Sequence, residues 1–172
     1  MTKIKKALFI ITALFFSFCA MAQSTKDIVE VASGAKTCST LVTALKAADL
    51  ITTLKSKGPF TVFAPTNDAF AKLPVGTLDN LLKPVNKTKL AGILKYHVVS
   101  GKLTAKDVLA AIKKGNGKAV LTTVQGEMLT ATVVKNKVIL TDEKGAKATV
   151  TKTDLDASNG VIHIINAVLM PK

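Results

Sequence analysis

The chain has no arginine and no tryptophan in 172 residues, so all 24 of its basic side chains are lysine. Arginine's planar fork is the usual bidentate reader of phosphates and guanine edges. Its absence argues against sequence-specific nucleic-acid binding. Aromatic residues are also scarce. Beyond residue 22 there are only Phe60, Phe63, Phe70 and Tyr96. Proteins that stack single strands, and most faces that stack sugars, need exposed aromatic platforms that this composition can hardly supply. Cysteine is limited to Cys19 and Cys38. If Cys19 leaves with an export signal, Cys38 has no partner within the chain, so no internal disulfide staples the fold. Cys38 reads as a small buried side chain; a reactive thiol or a link between chains is the alternative.

Catalytic and metal-binding patterns are missing too. No G-x-S-x-G turn presents a nucleophile. His97 and His163 alone do not make a zinc site. Asp142-Glu143 lacks the spacing of a calcium loop and allows weak contact at most. Gly115-Asn116-Gly117-Lys118 has no following Ser/Thr or helix, so it is no phosphate loop. Asp154 and Asp156 lie two apart beside a turn and read as solvated carboxylates. No cofactor and no metal are expected.

The one long apolar run is at the N-terminus. Lys3, Lys5 and Lys6 precede an uncharged stretch from Ala7 to Phe18, and Ala20-Met21-Ala22 follows. This is the layout of an export signal at 1–22, cleaved before Gln23. A retained anchor is the competing reading, but the run falls short of the roughly 20 residues a spanning helix needs. A lipoprotein through Cys19 is a further alternative, with the bulky Phe18 against it. Residues 23–172 then form a single domain with no transmembrane segment. A domain of that size buries about 70% of its unfolded surface, enough for a real core. The formal charge of +13 falls to +10 once the three signal lysines are removed. Such a surface attracts anionic polymers at low salt, or simply solvates the protein.

Patterning divides the domain into a helical first half and a strand-rich second half. Ile28 and Val31 mark a first helix. Ser39 is placed to cap a second, with Leu41, Leu45 and Ala48 on one face and Leu50, Ile51 and Leu54 extending it to Gly58-Pro59. Phe60 to Ala64 reads as a strand closed by Pro65, and Thr66 or Asn67 caps the helix carrying Phe70. Thr77 and Asn86 open two further helices. Tyr96 to Val99 reads as a strand, which would point Tyr96 and His97 to opposite faces. Thr104 and Asp107 form a capping box. Beyond residue 117 the period turns to alternation, with turns at Asn136, Gly145 and Asn159-Gly160. The class is α+β, with helices packed beside an antiparallel or mixed sheet. His163 alternates with Val161 and Ile165 and reads as a buried, hydrogen-bonded histidine.

Three segments carry a family likeness. Thr61-Val62-Phe63-Ala64-Pro65-Thr66-Asn67-Asp68-Ala69-Phe70 resembles the first homology box of fasciclin domains. Asn159-Gly160-Val161-Ile162-His163-Ile164-Ile165-Asn166-Ala167-Val168-Leu169 resembles the second, with Asn166 where relatives often carry Asp. Tyr96-His97-Val98-Val99 resembles the tyrosine–histidine motif between them. The resemblance covers Thr25 to Pro171. It implies a fasciclin-type wedge of β-strands flanked by short α-helices, and a secreted or cell-surface protein of adhesive character. It also implies candidate contact residues at Tyr96 and His97, and at Asp154-Leu155, the place where some animal members carry an integrin-binding Asp-Ile pair. Phe63, Pro65, Thr66, Phe70, Asn159, Gly160 and His163 would be structural. The expected function is a non-catalytic adhesion or matrix-interaction module, exported to the periplasm, cell surface or exterior. Its partners would be cell-envelope or matrix polymers or other surface proteins. The alternative is a carrier of a hydrophobic ligand such as a carotenoid, which some relatives hold in a groove between the two boxes.

Overall fold

A computed structural model of the chain describes residues 24–172; the expected export signal lies outside them. Helix α1 (Ile28–Gly34) starts at a capping box, in which Asp27 accepts from the Glu30 amide and Glu30 accepts from the Asp27 amide. Helix α2 (Ser39–Ala47) stops where Asp49 takes a left-handed φ of 59°, so the apolar stripe restarts as a separate short helix, α3 (Ile51–Leu54). Strand β1 (Phe60–Pro65) follows, then α4 (Asn67–Ala71), α5 (Thr77–Leu81), α6 (Lys87–Tyr96), β2 (Val98–Ser100) and α7 (Ala105–Lys114). The rest is strand: β3 (Lys118–Thr122), β4 (Met128–Val134), β5 (Lys137–Thr141), β6 (Lys147–Ala157) and β7 (Gly160–Ile165).

The strands lie in the order β2-β1-β7-β6-β5-β4-β3. Only β1 and β7 run parallel, paired from Phe60–Gly160 to Pro65–Ile165; every other neighbour is antiparallel. The sheet curls until its edges meet. The Val124 amide donates to the Val98 carbonyl at 2.7 Å, and Thr123 bridges Val99. The result is a wedge that closes almost to a barrel, with short helices along one side, as the α+β reading expects.

Two cores follow from this shape. One lies between α1–α6 and the outer face of β1 and β7, and holds Phe70, Leu41, Leu45, Leu94 and Ile162. The other lies inside the wedge against α7, and holds Phe63, Tyr96, Leu129, Leu140 and Ile165. Phe63 and Phe70 therefore anchor different cores, each contributing on the order of 2–3 kcal/mol by burial. Because β7 divides the two, all six of its residues are buried. A strand covered on both faces loses the polar alternation of a half-exposed one.

Several local expectations need correction. Tyr96 does not begin a strand; it ends α6, His97 caps that helix, and β2 starts at Val98. The helical spacing of Leu90, Ile93 and Leu94 carries on to His97, whose ring reaches back four residues to the Ile93 carbonyl at 2.8 Å. Ser39 does not cap α2. Its hydroxyl turns to the Asn67 side chain, which also accepts from the Thr40 amide and donates to the Lys36 carbonyl. Thr66 is therefore the cap of α4, and Asn67 a tie to α2. The helices expected to open at Thr77 and Asn86 do start there, α5 at Thr77 and α6 just after Asn86, although neither start has a side-chain cap and Asn86 donates to the Asn80 carbonyl.

Candidate functional site

The polar residues singled out from the sequence fall into two groups, one interior and one exposed. Tyr96 and His97 belong to the interior. Both are buried, at 0% and 2% exposure, so neither side chain reaches the surface, as the contact role implied by the resemblance would require. The Tyr96 hydroxyl donates to the Met128 carbonyl at 2.8 Å, and burial pushes its pKa up to about 12. His97 joins two distant segments: Nδ1–H donates to Ile93, and Nε2 accepts from the Leu169 amide at 3.1 Å. Burial lowers its pKa to about 4, only partly offset by the Ile93 bond and the charge of Asp142.

His163 is buried as expected and stacks on Phe63 with ring centroids 5.6 Å apart. Its Nε2–H donates to the Leu103 carbonyl at 2.8 Å, and its Nδ1 accepts from the Asp154 amide at 3.3 Å. All four histidine ring nitrogens therefore bond to backbone. An imidazole in that state has no free nitrogen with which to take a substrate proton.

Asp154 and Leu155 sit at the surface, in the irregular part of β6. The β6–β7 register shifts between Val150 and Leu155, and Asp154 takes a φ of 57°. Few non-glycine residues adopt this conformation, aspartate among the most tolerant of it. The bulge turns Asp154 outward to accept from the first amide of α7, Ala105, at 2.8 Å. Leu155 is half-buried and lines an open groove of ≈ 570 Å³ between α1 and β6, together with Val31, Ala35 and Ile164.

The seam between the two boxes is a tie, not a cleft. β1 and β7 hydrogen-bond directly, and the open groove at Leu155 reaches both boxes only at Thr66 and Ile164. The apolar spaces beside Phe63 and Phe60 measure only ≈ 10 and ≈ 20 Å³. The turn is made by Ser158 and Asn159, and Gly160 already opens β7. Asn159 accepts from the Ile28 amide at 3.0 Å and donates to the carbonyls of Leu54 and Ser56 at 2.7 and 3.1 Å. Gly160 is required by space: a Cβ there would run into the Phe60 carbonyl and the Ile28 side chain. Asn166 accepts from the Thr149 amide at 2.8 Å, a bond that needs no charge, and its carbonyl takes the Lys72 ammonium at 3.0 Å.

A model of the Fasciclin domain family matches residues 36–171. The chain belongs to the fasciclin domain family. A Synechocystis protein, sll1483, is 53% identical over 152 residues, which is 88% of this chain and 77% of that protein. Immunogenic protein MPB70 of Mycobacterium bovis is 37% identical, over 72% of this chain and 55% of that one. Pig transforming growth factor-beta-induced protein ig-h3 is 38% identical over 84% of this chain, but the match spans only 19% of its length. Among solved structures, the fasciclin domain pair of the insect cell adhesion molecule Fasciclin I superposes with a TM-score of 0.75 at 18% identity. That match covers 86% of this chain and 51% of that one, and shows the fold.

Two features of this fasciclin domain escaped the sequence reading. Asp142 is a buried carboxylate, 5% exposed, that accepts from the amides of Lys144, Ala146 and Met170. It fastens the C-terminal segment, and its readable signal was an Asp three residues before a turn glycine. Thr61, fully buried, donates to the Gly101 carbonyl at 2.6 Å and accepts from the Leu103 amide at 2.8 Å. Among the described residues no group of three or more His, Cys, Asp or Glu is placed to hold a metal ion. No described helix is long and apolar enough to cross a membrane. Ion pairs among the described residues engage Lys55, Lys87, Lys102 and Lys172, leaving most lysines projecting into solvent.

Proposed function

We propose that this fasciclin domain is an exported, non-catalytic binding module that attaches through its outer surface to envelope or matrix polymers or to other surface proteins. One observation carries the reading: the interior polar groups hold backbone to backbone, while most lysines project into solvent. Tyr96, His97 and His163 act as structural ties under this reading. Asp154 and Leu155, at the bulge, remain the contact candidates. Likeness to an insect cell adhesion molecule supports the same assignment. Exposed lysines of one sign attract anionic surfaces over about 8–10 Å at physiological salt.

Cosedimentation of the protein (residues 23–172) with purified cell-envelope fragments tests this. Binding should be strong at about 0.05 M salt and fall steeply by about 0.3 M as screening shortens its range. Absence of binding at both salts would overturn the proposal.

A further inference from the structure

The outward face of β3, β4, β5 and the start of β6 has a composition unlike the rest of the surface. The register places Val120, Thr130, Thr141 and Lys147 in one row across the four strands. Lys118, Thr132, Ile139 and Thr149 form the next. Thr122 pairs with Met128 at one end of the face, and Val134 with Lys137 at the other. The partner positions Ala119, Leu121, Leu129, Ala131, Leu140 and Ala148 point into the wedge and are buried. The outer rows thus carry only lysine, threonine and aliphatic side chains, with no carboxylate among them. Glu143 touches the face at its Met128 end, where its carboxylate accepts from the Met128 amide at 3.1 Å. Val120, Met128 and Val134 are 55%, 59% and 53% exposed, far more than a strand needs for its own packing.

We propose that this face is the docking surface for an acidic polysaccharide. The inference rests on the adhesion reading and locates its contact. Strands about 4.8 Å apart and residues about 3.4 Å apart along each place the Cα atoms of Lys118 and Lys137 about 12 Å from one another. Lys147 lies on the fourth strand. The ammonium groups therefore meet charges strung along an extended polymer, not one compact anion. With no aromatic ring to stack on a sugar, the face would hold the polymer through its anionic groups on the lysines, while threonine hydroxyls meet sugar hydroxyls and the compact Val, Ile and Thr side chains let a chain lie flat. Competing occupants fit less well. A lipid surface would need bulky Trp, Phe or Leu wedges, which this face lacks. Nucleic acid would need stacking rings or arginine forks. A second copy would set lysines against lysines.

The test compares two triple variants of equal charge in binding to alginate and to dextran sulfate at about 0.05 M salt. One is Lys118→Glu, Lys137→Glu and Lys147→Glu; the other is Lys46→Glu, Lys89→Glu and Lys113→Glu, on exposed helix positions elsewhere. The sheet-face variant should lose about tenfold or more, and the helix variant no more than about threefold. Acetylation footprinting of the unmodified protein gives the same answer without mutation: bound polymer should shield Lys118, Lys137 and Lys147 selectively. Equal loss in both variants with uniform shielding would overturn this face while leaving envelope attachment standing. So would preference for anionic vesicles over both polymers, or a dimer through this face. Failure of the unmodified protein to bind polymers and envelope alike would overturn the face and the adhesion reading together.

Discussion

Buried histidine is a liability in acid, and His97 makes it measurable here. Its folded pKa of about 4 lies below the 6.5 of the free side chain because burial disfavours the charged ring. Between those values the unfolded chain takes up a proton that the folded one refuses. Stability is therefore complete above about pH 6.5 and is lost as pH falls towards 4, by up to about 3 kcal/mol. Urea midpoints at pH 7, 5.5 and 4.5 should trace this loss, and His97→Gln should flatten it over that range. Asp27 and Asp107 titrate differently. Burial pulls Asp27 up, but the Glu30 amide and Lys55 outweigh it; the Thr104 hydroxyl and amide hold Asp107 down. Their contributions are lost only below the ordinary carboxylate range. Cys38 is a simpler case: 1% exposed, with burial raising its pKa, it is poorly placed to form a thiolate. Iodoacetamide should label it only after unfolding; rapid labelling of the native protein would contradict the structure.

At the level of elements, the seam between β1 and β7 is where local changes should cost most. Asn159→Ala removes three bonds joining the last hairpin to α1 and α3 and leaves those backbone groups unpaired, a loss of about 3 kcal/mol by urea denaturation. Gly160→Ala should cost at least as much, since its methyl group meets the Phe60 backbone and forces the parallel pair apart. The sequence revealed these elements unevenly. Helix α1 was legible from the spacing of Ile28 and Val31, and α7 from the Thr104–Asp107 box, because both signals are local. The boundary at Tyr96 was not, since its preference for strand neighbours Val98 and Val99 lost to a helix that needed His97 beneath Ile93. Ser39 misled for a related reason: the distant Asn67 took the hydroxyl that local capping would have used. The Asp154 bulge had no local signal, because it serves an amide 49 residues away.

For the molecule as a whole, the two box segments proved to be neighbours in one sheet, and much of the architecture follows from that pairing. The first box supplies β1 and the cap of α4; the second supplies β7, the wall between two cores. That much could be read from motif order. The inward place of His163 was legible too, from its alternation with Val161 and Ile165; that Tyr96 and His97 both face inward was not, because the strand pattern at Val98 and Val99 hid the end of a helix. The chain thus has an inside that holds the fold and an outside that we propose meets partners. Variants Tyr96→Phe, His97→Gln and His163→Gln, assayed for envelope binding at pH 7 and well below their melting temperatures, test that division most directly. The account expects each to melt lower than the parent yet bind envelope with unchanged affinity. Loss of binding by any of them without loss of stability would contradict it.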